Sequence, residues 1–474
     1  MSGTRRSWFG TRGRCVLLGL ASIILLGACD WTSYLDGAWH SSFNLGTEIT
    51  PENATTLTKA WTWTPDAATL PGQPPAGLYG SPVVAHGRIY IGSNTGDFYA
   101  INESNGAVVW KRFIGFQPHI TCMAIGFVST ATVVDEPDGG GGTVPVVYVA
   151  GPDGYLYALN GDDGSVRWRS VVALPSTTTN DAFNWSSPTV FDNRIYLGFS
   201  SNCDTPFIRG GVKLFDTATG ANLATWYGVP AGSKGGGVWT SVAVDDTAVF
   251  ASTGSADPGV TADSNSIVKL DPATLQELAV FHPPASDLNA AGDPDFGSSP
   301  IRFAATIGGV PTDMVGACNK DGYFYALRTT DMSLVWKRKI GTATADGGNS
   351  CIGNGAFDGE RLFLPSNDTT LGTTSFQGAV RSLDPATGSP VWERGLSANV
   401  PGAISLNGGD VIVAATHDFI PTGLAQHAYL LNASTGAVIR TIDNNNAKEF
   451  SQPVFVDDYL LLPTSNHMYA YKLP

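Results

Sequence analysis

The stretch AINESNGAVVW, from Ala100 to Trp110, returns as ALNGDDGSVRW (Ala158 to Trp168) and again as SLDPATGSPVW (Ser382 to Trp392). Each copy is an apolar pair, an Asn or Asp, a turn that ends in Gly, and then a Trp. Anchored on the third residue, the phrase recurs at Asn102, Asn160, Asp216, Asp271, Arg328, Asp384, Asn432 and Lys472. The gaps between these anchors are 58, 56, 55, 57, 56, 48 and 40 residues. A period of roughly 50 with turn residues at a set offset marks a propeller or solenoid array.

Each repeat reads as four strands. Period-2 runs such as SPVVAHGRIYIGS (Ser81 to Ser93), broken by HG, DG, DN or DD, are hairpin signals. In the phrase itself, the Asn or Asp bonds its own backbone and the Gly takes the positive-φ position. The Trp then ends the outer strand and is expected to pack between neighbouring blades. Phe281 takes that slot in the fourth copy and Arg440 in the seventh. Only Leu473 and Pro474 follow the last anchor, so the eighth blade lacks an outer strand. The segment Thr56 to Pro65, with Trp61 and Trp63, is the natural donor. The expectation is an all-β, eight-bladed propeller of four-stranded antiparallel blades, closed by an N-terminal strand that removes its exposed edges.

The first thirty residues read as an export signal. Arg5, Arg6, Arg12 and Arg14 form a basic region, and Val16 to Ala28 an apolar core too short for a membrane span, which needs about 20 residues. Leu26-Gly27-Ala28-Cys29 resembles the bacterial lipobox, which implies lipidation at Cys29; an ordinary cleaved signal is the other reading. The organisation is then a signal peptide at 1–28, an anchor and linker at 29–55, and the propeller at 56–474. The net charge is −14, and losing residues 1–28 removes four arginines and no acid, leaving −18. Such a balance argues against nucleic acid or an anionic membrane surface as partner.

Beyond Cys15 and Cys29, Cys122, Cys203, Cys318 and Cys351 remain. In an oxidising compartment they allow up to two disulfides in three pairings. Cys318 with Cys351 is favoured, because they fall in adjacent repeats. No Cys-x-x-Cys-His attaches a haem, and no His stands at zinc-ligand spacing from a Cys. The seven histidines are scattered and read as surface or turn residues.

The repeat and its Trp resemble the pyrroloquinoline-quinone (PQQ) family of eight-bladed propellers over nearly all of residues 31–474. That family holds alcohol dehydrogenases and also cofactor-free relatives such as an outer-membrane barrel-assembly subunit. Trp239, after Gly235-Gly236-Gly237-Val238, matches the Trp beneath the flat cofactor; the glycines would allow close approach. The alternative is an inter-blade Trp. Asp295, in Asp293-Pro294-Asp295-Phe296-Gly297, matches the general base, or is an ordinary turn acid. Lys320, in Cys318-Asn319-Lys320-Asp321-Gly322, matches the cation on the quinone oxygen, or merely precedes an Asp-Gly turn.

The calcium ligands implied by the resemblance are altered. Ser255 ends Ser252-Thr253-Gly254-Ser255 where the enzymes carry Asn. Counting back from Arg209-Gly210 puts Thr205 where they carry Glu, with Asp204 beside it as the candidate substitute. Asp204, Ser255 and Asp295 are thus the weak metal set, and PQQ and calcium the implied cofactors. The resemblance implies an exported, lipid-anchored oxidoreductase that passes electrons from an alcohol or polyol to a separate acceptor. The competing reading is a cofactor-free scaffold that binds envelope proteins or glycans.

Overall fold

The structure is a computed structural model that describes residues 30–474 except 261, 289–292, 343–349, 418–425, 444–450 and 465. Residues 1–28 and Cys29 lie outside the described residues, and with them the signal and lipidation readings. Eight antiparallel sheets follow one another along the chain. The first blade is Val83–Ala85, Arg88–Gly92, Asp97–Asn102 and Val108–Phe113, in that order from the axis outward. The eighth takes three strands from Val454–Val456, Tyr459–Pro463 and Met468–Lys472, and its outer strand, Thr58–Trp63, from the N-terminus. Thr58 pairs with Lys472 and Trp63 with Met468, so no sheet edge is left between the two chain ends.

The apolar core is divided among the spaces between blades. Tyr90, Phe98 and Trp110 of the first blade meet Val133, Val147 and Leu159 of the second. The second meets the third around Tyr148 and Phe215, and the eighth closes on the first around Leu461 and Ile91. The repeated phrase makes these seams specific. Gly164 has φ +70°, and a Cβ there would stand 2.6 Å from the Trp110 ring of the preceding blade. The Trp110 indole N–H donates to the Gly161 carbonyl at 2.9 Å. Trp61, Trp168, Trp336 and Trp392 make the same bond to Glu103, Thr217, Pro385 and Ala433. Where the next turn carries Leu275 instead of Gly, Trp226 donates to the Glu277 carboxylate. The seventh-blade substitute, Arg440, binds the carbonyls of Ala54, Thr55 and Leu57 at the entry to the closing strand.

A closed belt and a strap tie the blades at the axis. Ser81 N–H donates to Thr130, Thr130 N–H to Ser187, Ser187 N–H to Ser241, Ser241 N–H to Ser299 and Ser299 N–H to Asn354. The seventh blade offers no such side chain, and Ile404 N–H binds the Asn354 carbonyl. Gln452 then bonds Ile404 and Ser81, closing a belt. Further along the inner strands, the N–H groups of Val84, Val133, Val244, Arg302, Phe357 and Leu406 donate to the carbonyls of Trp31, Thr32, Ala38, Trp39, Ser41 and Ser42. Phe43–Asn44 pairs in parallel with Ser405–Asn407. Residues 31–44, read as linker, form a strap across one end of the axis.

The strap's His40 is buried within a turn, with Nδ1 2.9 Å from the Pro300 carbonyl, whereas His417 is buried in a bridge to Asn399, so the reading of the histidines as surface or turn residues fails at His417.

Candidate functional site

Strands in a blade alternate in direction, so two kinds of connection share the end of the ring away from the strap. These are the chain entering each inner strand and the turn between the second and third strands. All the residues matched to the enzymes lie on these connections. Trp239 precedes the inner strand Ala243–Val244; Ser255 follows Val249–Ser252; Asp295 precedes Ile301–Ile307; Lys320 follows Val310–Cys318.

Asp295 is buried, and its carboxylate is gripped at both oxygens. One accepts the Ser255 backbone N–H, and the other faces the Lys320 ammonium at 3.6 Å. The approach needs Gly254, where a Cβ would stand 3.0 Å from the carboxylate. Asp295's own carbonyl receives the Lys320 backbone N–H at 2.9 Å, so the two residues are locked together twice. The Lys320 ammonium lies 2.6 Å from Asp293 and 4.9 Å from the centre of the Trp239 ring, within cation–π reach. Ser255 turns its hydroxyl to Asn265 at 3.1 Å. Asp204 is at the exposed lip, with its carboxyl partly shielded and within electrostatic reach of Asp293, Lys320 and Asp295. Four of the residues singled out in the sequence, Trp239, Ser255, Asp295 and Lys320, thus meet at one mouth, while Asp204 stays exposed on its lip. The geometry adds Asp293, the nearest partner of Lys320, and Asn265. Asp293 had a signal in the Asp-Pro-Asp spacing; Asn265 had none.

Charge and burial set the chemistry. Burial pushes the Asp295 carboxyl up to about 6; Asp293 and Asp204 add to the rise, while Lys320 and the Ser255 bond oppose it. Burial disfavours the Lys320 ammonium, but Asp295, Asp293 and Asp204 outweigh it and hold its pKa above the usual value. Asp204 is raised by desolvation and then by Asp293. The mouth therefore offers a carboxylate that changes state near neutral pH beside a permanent cation.

Both disulfides brace this end. Cys122–Cys203 joins the first-to-second-blade connection to the residue before Asp204, and Cys318–Cys351 flanks Lys320. The Ser350 hydroxyl donates to the Lys320 carbonyl at 2.6 Å. The glycine run before Trp239 is closely packed. Gly236 N–H bonds the Ser255 carbonyl, and side chains at Gly235 or Gly237 would strike Ala256 or Ser200. These glycines let the connection between the third and fourth blades pass close to its neighbours.

A flat quinone fits part of this arrangement. Trp239 is half-exposed, and its buried indole N–H has no acceptor among the described residues. A π-face, an ammonium and a buried base stand together, as such a ring requires. Calcium does not fit. It takes about six to eight oxygens, preferably anionic. Here Ser255 is neutral, and Asp295 has one oxygen bonded to the Ser255 N–H and the other facing the Lys320 ammonium at 3.6 Å. Among the described residues no three His, Cys, Asp or Glu gather as a metal set.

Residues 31–338 match the family described as the glucose/ethanol/alcohol dehydrogenase beta-propeller domain, a PQQ family. The chain belongs to this family. Residues 320–473 also match the family of the outer membrane protein assembly factor BamB. Among PQQ-propeller relatives, the polyvinylalcohol dehydrogenase of Sphingopyxis sp. (strain 113P3) is 25% identical over 370 residues. That match covers 68% of this chain and 53% of the dehydrogenase, so the chain spans about half of that relative's length. BamB of Shewanella oneidensis is 22% identical over 386 residues, 80% of each chain. The quinohemoprotein alcohol dehydrogenase of Comamonas testosteroni has the same fold, with TM-score 0.73, 17% identity and coverage of 94% of this chain and 80% of that one.

Proposed function

We infer that the protein is an exported oxidoreductase of the quinoprotein type, acting on an alcohol or polyol at the mouth formed by Trp239, Asp295 and Lys320. The observation that carries this reading is the meeting of a buried, raised-pKa carboxylate and an ammonium beside a half-exposed indole face. Trp239 would support the cofactor's ring and Lys320 would stand against its oxygen. A bound quinone supplies the two-electron acceptor for the hydride on the alcohol carbon. Asp295 takes the hydroxyl proton as the carbonyl product forms, and the Ser255 N–H holds one of its carboxylate oxygens in place. Lys320 keeps Asp295 largely ionised at neutral pH against the burial that would neutralise it. Electrons leave to a separate carrier. The test is Asp295→Asn, which keeps the carboxylate's shape and removes its basicity. Loss of dye-coupled alcohol oxidation with an unchanged melting temperature supports the reading; undiminished turnover ends it.

A second reading is a cofactor-free scaffold for envelope proteins or glycans. It is favoured by the BamB match and by Ser255 and Thr205 standing at two ligand positions. In either case the leader predicts export and lipid attachment at Cys29, and mass spectrometry of the mature N-terminus tests it.

A further inference from the structure

We propose that Glu103 makes closure of the ring depend on pH: as a neutral acid it seals the seam between the eighth and first blades, and as a carboxylate it loosens that seam.

The repeat singles this residue out. The position after each anchor turns its carbonyl to the preceding blade, where an indole N–H or a Lys, Arg or Tyr side chain binds it. In blades two to seven that position holds Gly161, Thr217, Pro272, Thr329, Pro385 and Ala433, none of which ionises. In the first blade it holds Glu103, which is 8% exposed. That blade faces the junction where Thr58–Trp63 pairs with Met468–Lys472, and the Trp61 indole of the closing strand donates to the Glu103 carbonyl at 2.9 Å.

The Glu103 carboxyl has no hydrogen-bond or ion-pair partner among the described residues. It faces acids from two neighbouring elements. Asp457 and Asp458 form the hairpin turn of the eighth blade, and Asp30 stands just before the strap, its carboxylate taking the His86 backbone N–H. Lys472 is the cation in reach, but its ammonium is turned to Asp458 at 3.4 Å and to the Tyr459 hydroxyl at 3.2 Å. The His86 ring turns away to Asp135 at 2.8 Å.

Burial pushes the Glu103 carboxyl up to about 7; the three aspartates add to the rise and Lys472 opposes it. A proton therefore neutralises the seam with no partner needed. When it leaves, Glu103 repels the turn at Asp457 and Asp458. The eighth blade's own strands are joined to the closing strand by backbone pairing, and that pairing bears the repulsion. Because the folded pKa lies above the unfolded value near 4.5, the stabilising share of Glu103 is complete below about 4.5 and is lost as pH rises through 7.

Hydrogen exchange of the purified, disulfide-intact protein from pH 6 to 8, corrected for intrinsic base catalysis, tests this. Protection of the amides in Thr58–Trp63 and Met468–Lys472 is expected to fall about tenfold over that range, while Val166–Val171, the outer strand of the second blade, keeps its protection. Glu103→Gln, neutral at every pH, should abolish the fall. Asp457→Asn should shrink it by moving the titration to lower pH. Absence of the fall in wild type would overturn the proposal, as would a fall shared by Val166–Val171 or kept in Glu103→Gln. Should Glu103→Gln not fold, an Asp457→Asn protein with a fall as large as the wild type's would overturn it equally.

Discussion

Trp110 of the first blade lies against Gly164 of the second and donates its indole N–H to the Gly161 carbonyl at 2.9 Å. One residue pair therefore fixes the approach of two sheets, and its recurrence explains the repeated phrase. Replacing Trp110, which is 9% exposed, with Ala empties the seam and should cost about 3–5 kcal/mol. Gly164→Val adds a Cβ onto the ring at a positive φ and should cost more than about 1 kcal/mol. Denaturant unfolding measures both. A cost below about 1 kcal/mol for Trp110→Ala would mean that the docking carries little of the seam.

That pair also shows why the fold was readable. Gly, turn acid and Trp are chemically distinctive residues with one job per blade, and their spacing survives even where Leu275 or Met332 replaces the Gly. The strap was not readable for the opposite reason. Its contacts are mostly backbone bonds to inner strands, and it turns through positive φ at Leu35, Asp36, His40 and Ser42. Neither leaves a periodic pattern. At the mouth, Trp239, Asp295 and Lys320 could be singled out by resemblance and Asp293 by its Asp-Pro-Asp spacing, but Asn265 looks like any loop amide until the Ser255 hydroxyl is seen bonded to it.

The strap should be acid-sensitive. Burial lowers the His40 pKa to about 4, against its bond to Pro300. The unfolded chain, with an ordinary His near 6.5, binds the proton more readily, so His40's share of stability is complete above about 6.5 and is lost as pH falls toward 4. The loss is up to roughly 3 kcal/mol. Asp295 and Asp321, raised to about 6, act in the opposite sense over part of that window. The measurement is therefore the difference in melting temperature between wild type and His40→Gln from pH 4 to 7. That difference should vary with pH; a constant gap would show that His40 does not titrate in the transition.

Catalysis should have an acidic limb. With Asp295 as the base and its pKa near 6, kcat/KM is expected to rise about tenfold per pH unit below 6 and level off above it. Lys320→Met removes the charge that restrains the rise, so the limb should move to higher pH. An unmoved limb in that variant would assign it to another group.

The lipid proposed at Cys29 would impose an orientation. Trp31 is fully buried against Val84, and Asp30 lies beside His86 at the turn end of the first blade, away from the mouth. Such a lipid would leave Asp30 alone in sequence between the anchor and Trp31. In proteoliposomes, energy transfer from a dye at Thr435, on the strap end, to headgroup acceptors should exceed that from a dye at Lys234, on the mouth end. Equal transfer would contradict a fixed orientation.

The most direct test of the functional reading is titration of PQQ into the purified protein while Trp fluorescence and quinone absorbance are followed. Saturable binding in the micromolar range, weakened at least about tenfold by Trp239→Ala and insensitive to calcium chelation, is the predicted result. No binding at tens of micromolar, roughly, would contradict it and leave a propeller whose partners are macromolecules.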